Sequence, residues 1–320
     1  MSGPLAAPFP YFGGKRRAAP IVWAALGDPG GYVEPFAGSA AVLLARPPYR
    51  GRRVETLNDA DGWLVNAWRS IQLSPAAVAS HAAGPVTEID YHARLAWLQE
   101  RRTPDLVAWL EGDPEAHDAR AAGWWLYVMA CGIGDPWGPG PWRVVGGRLT
   151  KSDAGRGVNR ALPHLGDAGR GVNREDALVE YLAVLASRLR QVRITCGSWT
   201  RVLTPSALRA RSGGDGSIAV FLDPPYATSG ELYAESVAGV AAEVAAWCGS
   251  APSDLRIVLC GYDNEHDQLL KFGWVRREGK AGGGAGYSTR RDNGRRERLW
   301  LSPSCLIDHG NLLDLLDGAS

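Results

Sequence analysis

The hexapeptide Phe221-Leu222-Asp223-Pro224-Pro225-Tyr226 carries the strongest chemical signal in the chain. An apolar strand runs into a carboxylate, then into two prolines that fix φ and donate no N–H, then into an aromatic ring. Such a corner freezes the exit of a strand at its carboxyl end, where open α/β sheets bind ligands. It can offer an acceptor carboxylate, an outward carbonyl and a ring face to a planar ligand bearing an NH2 group. A Pro-Pro strand terminator beside a surface Asp is the plain alternative. A second segment, Gly31-Tyr32-Val33-Glu34-Pro35-Phe36-Ala37-Gly38-Ser39-Ala40-Ala41-Val42, reads as strand, small-residue turn and helix start, so backbone can approach a ligand closely there. It contains no G-x-G-x-x-G, which weighs against a nicotinamide dinucleotide. Leu57-Asn58-Asp59 then puts an acid at the end of the next strand, placed either to hold a ribose diol or to cap a helix. Near the start, Pro10-Tyr11-Phe12-Gly13-Gly14-Lys15 supplies two glycines and the chain's first lysine.

These segments need a sheet to bring them together. Short apolar runs at Gly31 to Phe36, Arg53 to Leu57, Val192 to Cys196, Ser217 to Leu222 and Leu255 to Cys260 suit buried strands of a mainly parallel sheet. Helical periodicity is clearest over Asp176 to Arg190, where Leu178, Tyr181, Leu182, Leu185 and Leu189 share a face, and over Val237 to Trp247. Late apolar runs near Phe272 to Val275 and Arg298 to Leu301 predict a terminal hairpin. Residues 66–174 differ: Ala- and Trp-rich helical patterns (Trp97, Trp109, Trp124, Trp125) precede a long Gly, Pro and Arg stretch, which predicts an inserted second domain. Within it DAGRGVNR occurs at Asp153 to Arg160 and again at Asp167 to Arg174, either a loop duplication or a pair of phosphate-gripping turns. The catalytic domain is then 1–65 with 175–320.

With 320 residues, 45% hydrophobic and 22% charged, the chain can build one large or two small cores and is not a disordered protein. A net charge of +1 excludes a grip on nucleic acid through bulk charge. Basic residues concentrate in two windows: Arg143, Arg148, Lys151, Arg156, Arg160, Arg170 and Arg174 in the first, and the run containing Arg290, Arg291, Arg295 and Arg296 in the second. A polyanion would dock on such loops, and solvated loops have the same composition. The five cysteines are widely spread without a CxxC, and the six histidines lack metal-ligand spacing, so neither disulfides nor a metal is expected. The start has no signal-peptide pattern and no apolar run reaches about 18 residues, which predicts a soluble, cytoplasmic protein without membrane contact.

Taken together, PYFGGK (Pro10 to Lys15), VEPFAGSAAVLL (Val33 to Leu44), NDAD (Asn58 to Asp61) and DPPY (Asp223 to Tyr226) resemble the Dam-like, α-group class of DNA adenine-N6 methyltransferases. The resemblance covers essentially the whole chain and implies a Rossmann-like class I methyltransferase sheet with an inserted, mostly helical target-recognition domain. It implies S-adenosylmethionine as cofactor and DNA as partner, acted on by a monomer. Tyr11 and Lys15 would lie by the methionine end of the cofactor, Glu34, Pro35, Phe36, Gly38 and Ser39 would form its turn, and Asp59 would bind the ribose. Asp223, Pro224, Pro225 and Tyr226 would receive the flipped adenine. Ala40 stands where the class usually has a second glycine. N4-cytosine methylation, a glutamine amide acceptor and a DNA-binding chain without catalysis are the rival readings. Ser198-Trp199 would line the cofactor adenine or pack in the core, and Trp137 and Trp142 are candidates for touching bases.

Overall fold

The computed structural model describes residues 5–11, 15–101, 105–113, 115–132, 142–145, 148–151, 164–165, 170–171, 175–209, 213–225, 234–279 and 296–306. The chain begins with α1 (Ala19–Leu26), β1 (Gly31–Glu34), the single turn α2 (Ala41–Leu44) and β2 (Val54–Asp59). Five helices follow: α3 (Gly62–Leu73), α4 (Pro75–Ala82), α5 (Glu88–Glu100), α6 (Asp105–Gly112) and α7 (Ala119–Cys131). Two small antiparallel pairs come next, β3 (Trp142–Val145) with β4 (Arg148–Lys151), and β5 (His164–Leu165) with β6 (Arg170–Gly171). The chain then returns through α8 (Glu175–Leu189) and β7 (Val192–Cys196) to β8 (Ile218–Leu222), α9 (Ala234–Ser250), β9 (Arg256–Tyr262), β10 (Val275–Glu278) and β11 (Glu297–Leu301).

Seven strands form one mixed sheet in the order β10-β11-β9-β8-β1-β2-β7. β7, β2, β1, β8 and β9 are parallel, and β11 inserts antiparallel between β9 and β10. Every residue of β8 is buried, as a central parallel strand requires, whereas β10 at the edge alternates between half-buried and exposed. From β1 the chain builds outward through β2 to β7, then crosses back to β8 on the other side of β1. That reversal falls at the carboxyl ends of β1 and β8, the usual ligand position in a doubly wound sheet.

The expected hairpin is present as β10 and β11, but Phe272 is not in it. Asp267–Phe272 forms a 3-10 turn in which Phe272 is 51% exposed, and the strand starts only at Val275. The face forecast for α8 is fully buried at Leu178, Tyr181, Leu182, Leu185 and Leu189. Asn66, where the insert was expected to begin, lies inside α3 and is fully buried; its Oδ1 accepts from Asp118 N at 2.9 Å and its Nδ2 donates to Asp118 O at 3.0 Å. Buried residues of α3, α4, α5, α7 and α8 join those of β1, β2 and β9 in one apolar cluster. Gly123 lets α7 press on α4, since a Cβ there would lie 2.4 Å from His81 Cβ. Of the two paired tryptophans, Trp125 is core, while Trp124 is half-buried with Trp97 in a ladder stacked by Arg94, Arg101 and Arg120. No helix among the described residues is long and apolar enough to cross a membrane.

Candidate functional site

The turn after β1 is stapled to the end of β2. Gly38 has φ of +46°, and its N–H donates to Asp59 Oδ2 at 2.9 Å while Ala37 N–H donates to Asn58 O at 2.8 Å. Asn58 Nδ2 donates to Pro35 O and to Gly197 O, each at 3.0 Å, which ties β1, β2 and β7 together at their carboxyl ends. From the other side Trp68 Nε1 donates to Gly38 O at 3.0 Å. The Tyr11 ring covers the turn so closely that a Cβ on Gly38 would sit 2.7 Å from Tyr11 Cε1. Ser39 is buried. Ala40 follows with φ 50° and ψ 30°, a left-handed conformation that costs a non-glycine residue about 1–2 kcal/mol. The backbone there thus demands what a glycine would supply most easily. Only the four-residue α2 follows the turn, so approach to a ligand rests on the turn's own backbone.

Asp59 does not cap a helix. That role belongs to Asp61, whose carboxylate accepts from Trp63 N and Leu64 N at the start of α3. Asp59 is instead a hinge pin: Oδ2 holds Gly38, and Oδ1 accepts from Asp61 N at 3.0 Å. Burial raises its pKa, against the opposing pull of these backbone donors. Beside it, Phe36 stacks on Trp199 at 6.0 Å between centroids and 28° between planes, and Trp199 meets Trp247 edge-on. Ser198 accepts from Thr200 N and so opens the 3-10 turn that carries Trp199. Of the two alternatives, packing in the core is what the structure shows, since Trp199 is buried within the second apolar cluster.

The acidic corner lies at the end of β8, beside β1. Asp223 and the buried Pro224 follow directly on β8, and Asp223 accepts an ion pair from Lys15 Nζ at 2.9 Å. The same ammonium meets Glu297 Oε1 at 2.8 Å, so one buried lysine joins the end of β8 to the start of β11. Burial works against the Lys15 charge, but Asp223, Cys260 and Glu297 overcome it and hold its pKa above the ordinary value. Tyr262, at the end of β9, pairs in register with Glu297, and burial together with the two carboxylates raises its phenol pKa against the pull of Lys15. Glu34 ends β1 between the two halves of the site. Its Oε1 accepts from Tyr32 OH at 2.8 Å and from Leu43 N at 3.3 Å, while Oε2 is buried without a partner among the described residues. Burial pushes its pKa up to about 8, which makes it a neutral acid at pH 7.

Lys15, Glu34, Pro35, Phe36, Gly38, Ser39, Asp59, Asp223 and Pro224, with Tyr11 over the turn, therefore line one edge of the sheet; Pro225 is exposed beyond them. Tyr226, Arg156, Arg160, Arg174, Arg290, Arg291 and Arg295 lie outside the described residues. Arg143, Arg148, Lys151 and Arg170 are described only as backbone of β3, β4 and β6, and Trp137 lies outside while Trp142 begins β3. Arg296 is turned to the body, with Nε on Asp263 Oδ2 at 2.6 Å. Glu297 and Tyr262 were missed from sequence. Glu297 counted there only as a charge inside a basic window, and its meaning depends on an antiparallel pairing across β9. Among the described residues no cluster of three or more His, Cys, Asp or Glu is arranged to hold a metal ion. The sequence matches no family model and no curated protein.

Proposed function

We propose that the chain is a DNA methyltransferase that moves a methyl group from S-adenosylmethionine to the N6 amine of an adenine extruded from DNA. One observation carries this: the glycine turn, Asp59 and the Asp223-Pro224 corner, which the resemblance ties to this chemistry, converge from distant parts of the chain on the carboxyl edge of the sheet where the strand order reverses. The residues fit the cofactor in kind. Asp59 offers a carboxylate at the end of the second strand for ribose hydroxyls, the turn from Glu34 to Ser39 offers close backbone, and the Phe36–Trp199 pair offers an aromatic wall. When bound, the sulfonium supplies an electrophilic methyl.

The protein's part is orientation. Extrusion of the base costs a few kcal/mol and comes first. The Asp223 carboxylate and the Pro224 carbonyl each accept one N6 hydrogen, which draws the nitrogen toward tetrahedral geometry and aims its lone pair at the methyl. Lys15 fixes Asp223 through its ion pair, and Glu297 balances the lysine from behind. Tyr226 stacks on the extruded ring, worth about 1–3 kcal/mol. The arginine-rich segments from Arg143 to Arg174 and at Arg290 and Arg291 hold the phosphates.

Asp223→Ala is expected to abolish incorporation of radiolabelled methyl into mixed DNA while DNA binding is largely kept. Mass spectrometry of the digested product should show N6-methyladenine. Turnover by Asp223→Ala, or a product methylated elsewhere, refutes the assignment.

A further inference from the structure

The opposite end of the sheet holds a second charged feature, built from arginines. Gly51, Arg52, Arg53, Val54, Gln191 and Arg193 line a groove of about 520 Å³ at the amino ends of β2 and β7, within the volume range of small-ligand sites. The pairing of Glu55 with Val192 and of Thr56 with Arg193 puts Val54, Thr56, Gln191 and Arg193 on one sheet face. Val33 pairs with Thr56 on that face and belongs to the second apolar cluster, which contains no residue of β2 or β7; Thr56 is buried, and Gln191 and Arg193 beside it are exposed. The groove is roughly 17 Å along β2 from Asp59.

The loop before β2 holds two buried arginines, Arg46 and Arg53, and the second shapes its end. Arg53 grips Asp28 with Nε at 3.1 Å and Nη2 at 2.5 Å, and its Nη1 donates to Arg50 O and Arg52 O, each at 3.0 Å. With Arg53 occupied in this way, Arg50 and Arg52 are exposed beside exposed Arg190 and Arg193. None of these four has a carboxylate partner among the described residues, whereas elsewhere Arg201 meets Glu111, Arg256 meets Asp215, Arg276 meets Asp267 and Arg296 meets Asp263. The two nearby acids are already taken, Asp28 by Arg46 and Arg53, and Glu55 by Arg46 and Arg188. The arginine charge here is left uncompensated. The guanidinium forks and the one neutral amide that line the groove suit a ligand rich in phosphate oxygens.

We propose that this groove is a phosphate-binding site, separate from the Asp223 corner and independent of methyl transfer. The test is calorimetric titration of the full chain with inorganic tripolyphosphate at low salt. One binding event is expected, weakened about tenfold or more by Arg52→Glu with Arg193→Glu. The pair Arg120→Glu with Lys271→Glu removes the same charge on α7 and on the turn before β10, and should leave affinity within about twofold. Equal weakening by both pairs, or no binding by the unaltered chain, overturns the proposal. Both groove residues are exposed and have no carboxylate partner among the described residues, so thermal unfolding should be unchanged; the milder Arg52→Gln with Arg193→Gln should weaken binding by an intermediate factor. A second arm titrates a short DNA duplex in rising salt. If the phosphates are a nucleic-acid backbone, the reversed pair lowers the slope of log affinity against log salt by about 2. If they belong to a small phosphorylated compound, that slope is unchanged while tripolyphosphate binding is still lost.

Discussion

Two buried glutamates on adjacent strands mark the difference between the ends of the sheet. Glu55, toward the amino end, accepts Arg46 Nη1 at 2.9 Å, Arg188 Nη1 at 2.7 Å, Arg188 Nη2 at 2.9 Å and Tyr49 OH at 3.3 Å. Both its oxygens are used, and the lattice continues through Arg46 to Asp28 and Pro29 O. Glu34, toward the carboxyl end, has two neutral donors on one oxygen and none on the other among the described residues. A charge enclosed by guanidiniums fastens elements together. An under-satisfied carboxyl, beside a strained turn and a lysine shared by two acids, is the pattern of an edge kept for a ligand at some cost in stability.

The largest effect should come from breaking the closed end. Glu55→Ala leaves Arg46 and Arg188 facing each other without their anion, and removing one partner of a buried pair costs about 3–5 kcal/mol. A fall of that size in the unfolding free energy from urea titration is expected. A loss under about 1 kcal/mol would show that both arginines escape to water, and the contrast between the ends would dissolve.

The open end should respond to pH instead. The Glu34 pKa lies near 8 in the folded chain against an ordinary 4.5, because burial disfavours the anion. Between these values the native state holds a proton that the unfolded state has released, so this group's contribution to stability falls as pH rises and is lost progressively through pH 8. Glu34→Gln keeps the neutral shape and removes the titration. The variant should melt close to the parent at pH 5 and higher than it at pH 8, by about 5 °C. Parallel melting curves across that range would mean that Glu34 is ionised and solvated in the native state.

How much of this was legible in the sequence follows the range of the forces involved. Ile218–Leu222 and the leucine face of α8 were readable because local apolar periodicity and burial coincide. The Asp223 corner and the glycine turn were readable because proline and glycine act on their own backbone. Phe272 was misread since a short apolar run does not separate a strand from a 3-10 turn. The Arg46–Glu55–Arg188 lattice joins residues separated by 9 and 133 positions, and Lys15 meets Glu297 from the other end of the chain, so no window contains either. Trp124 and Trp125 look alike in sequence, but adjacent helix positions point about 100° apart, so Trp125 is buried in the core while Trp124 packs half-exposed at its margin.

The smallest effect bears on the turn itself. Ala40 sits at φ 50° with its N–H on Ala37 O at 2.6 Å, closing the loop that Gly38 opens. Its methyl is fully buried, so Ala40→Gly loses a little apolar contact and frees the unfolded chain, both unfavourable. Against these stands relief of the left-handed strain, about 1–2 kcal/mol. The balance is a gain of about 1 kcal/mol or less, read as a rise of about 2 °C in melting temperature. If the strain instead holds the turn in the shape that would receive the proposed S-adenosylmethionine, the same variant should bind it more weakly despite its stability. A variant both less stable and unaltered in binding would show that Ala40 adopts this conformation without strain, leaving Glu34 as the principal mark of the open end.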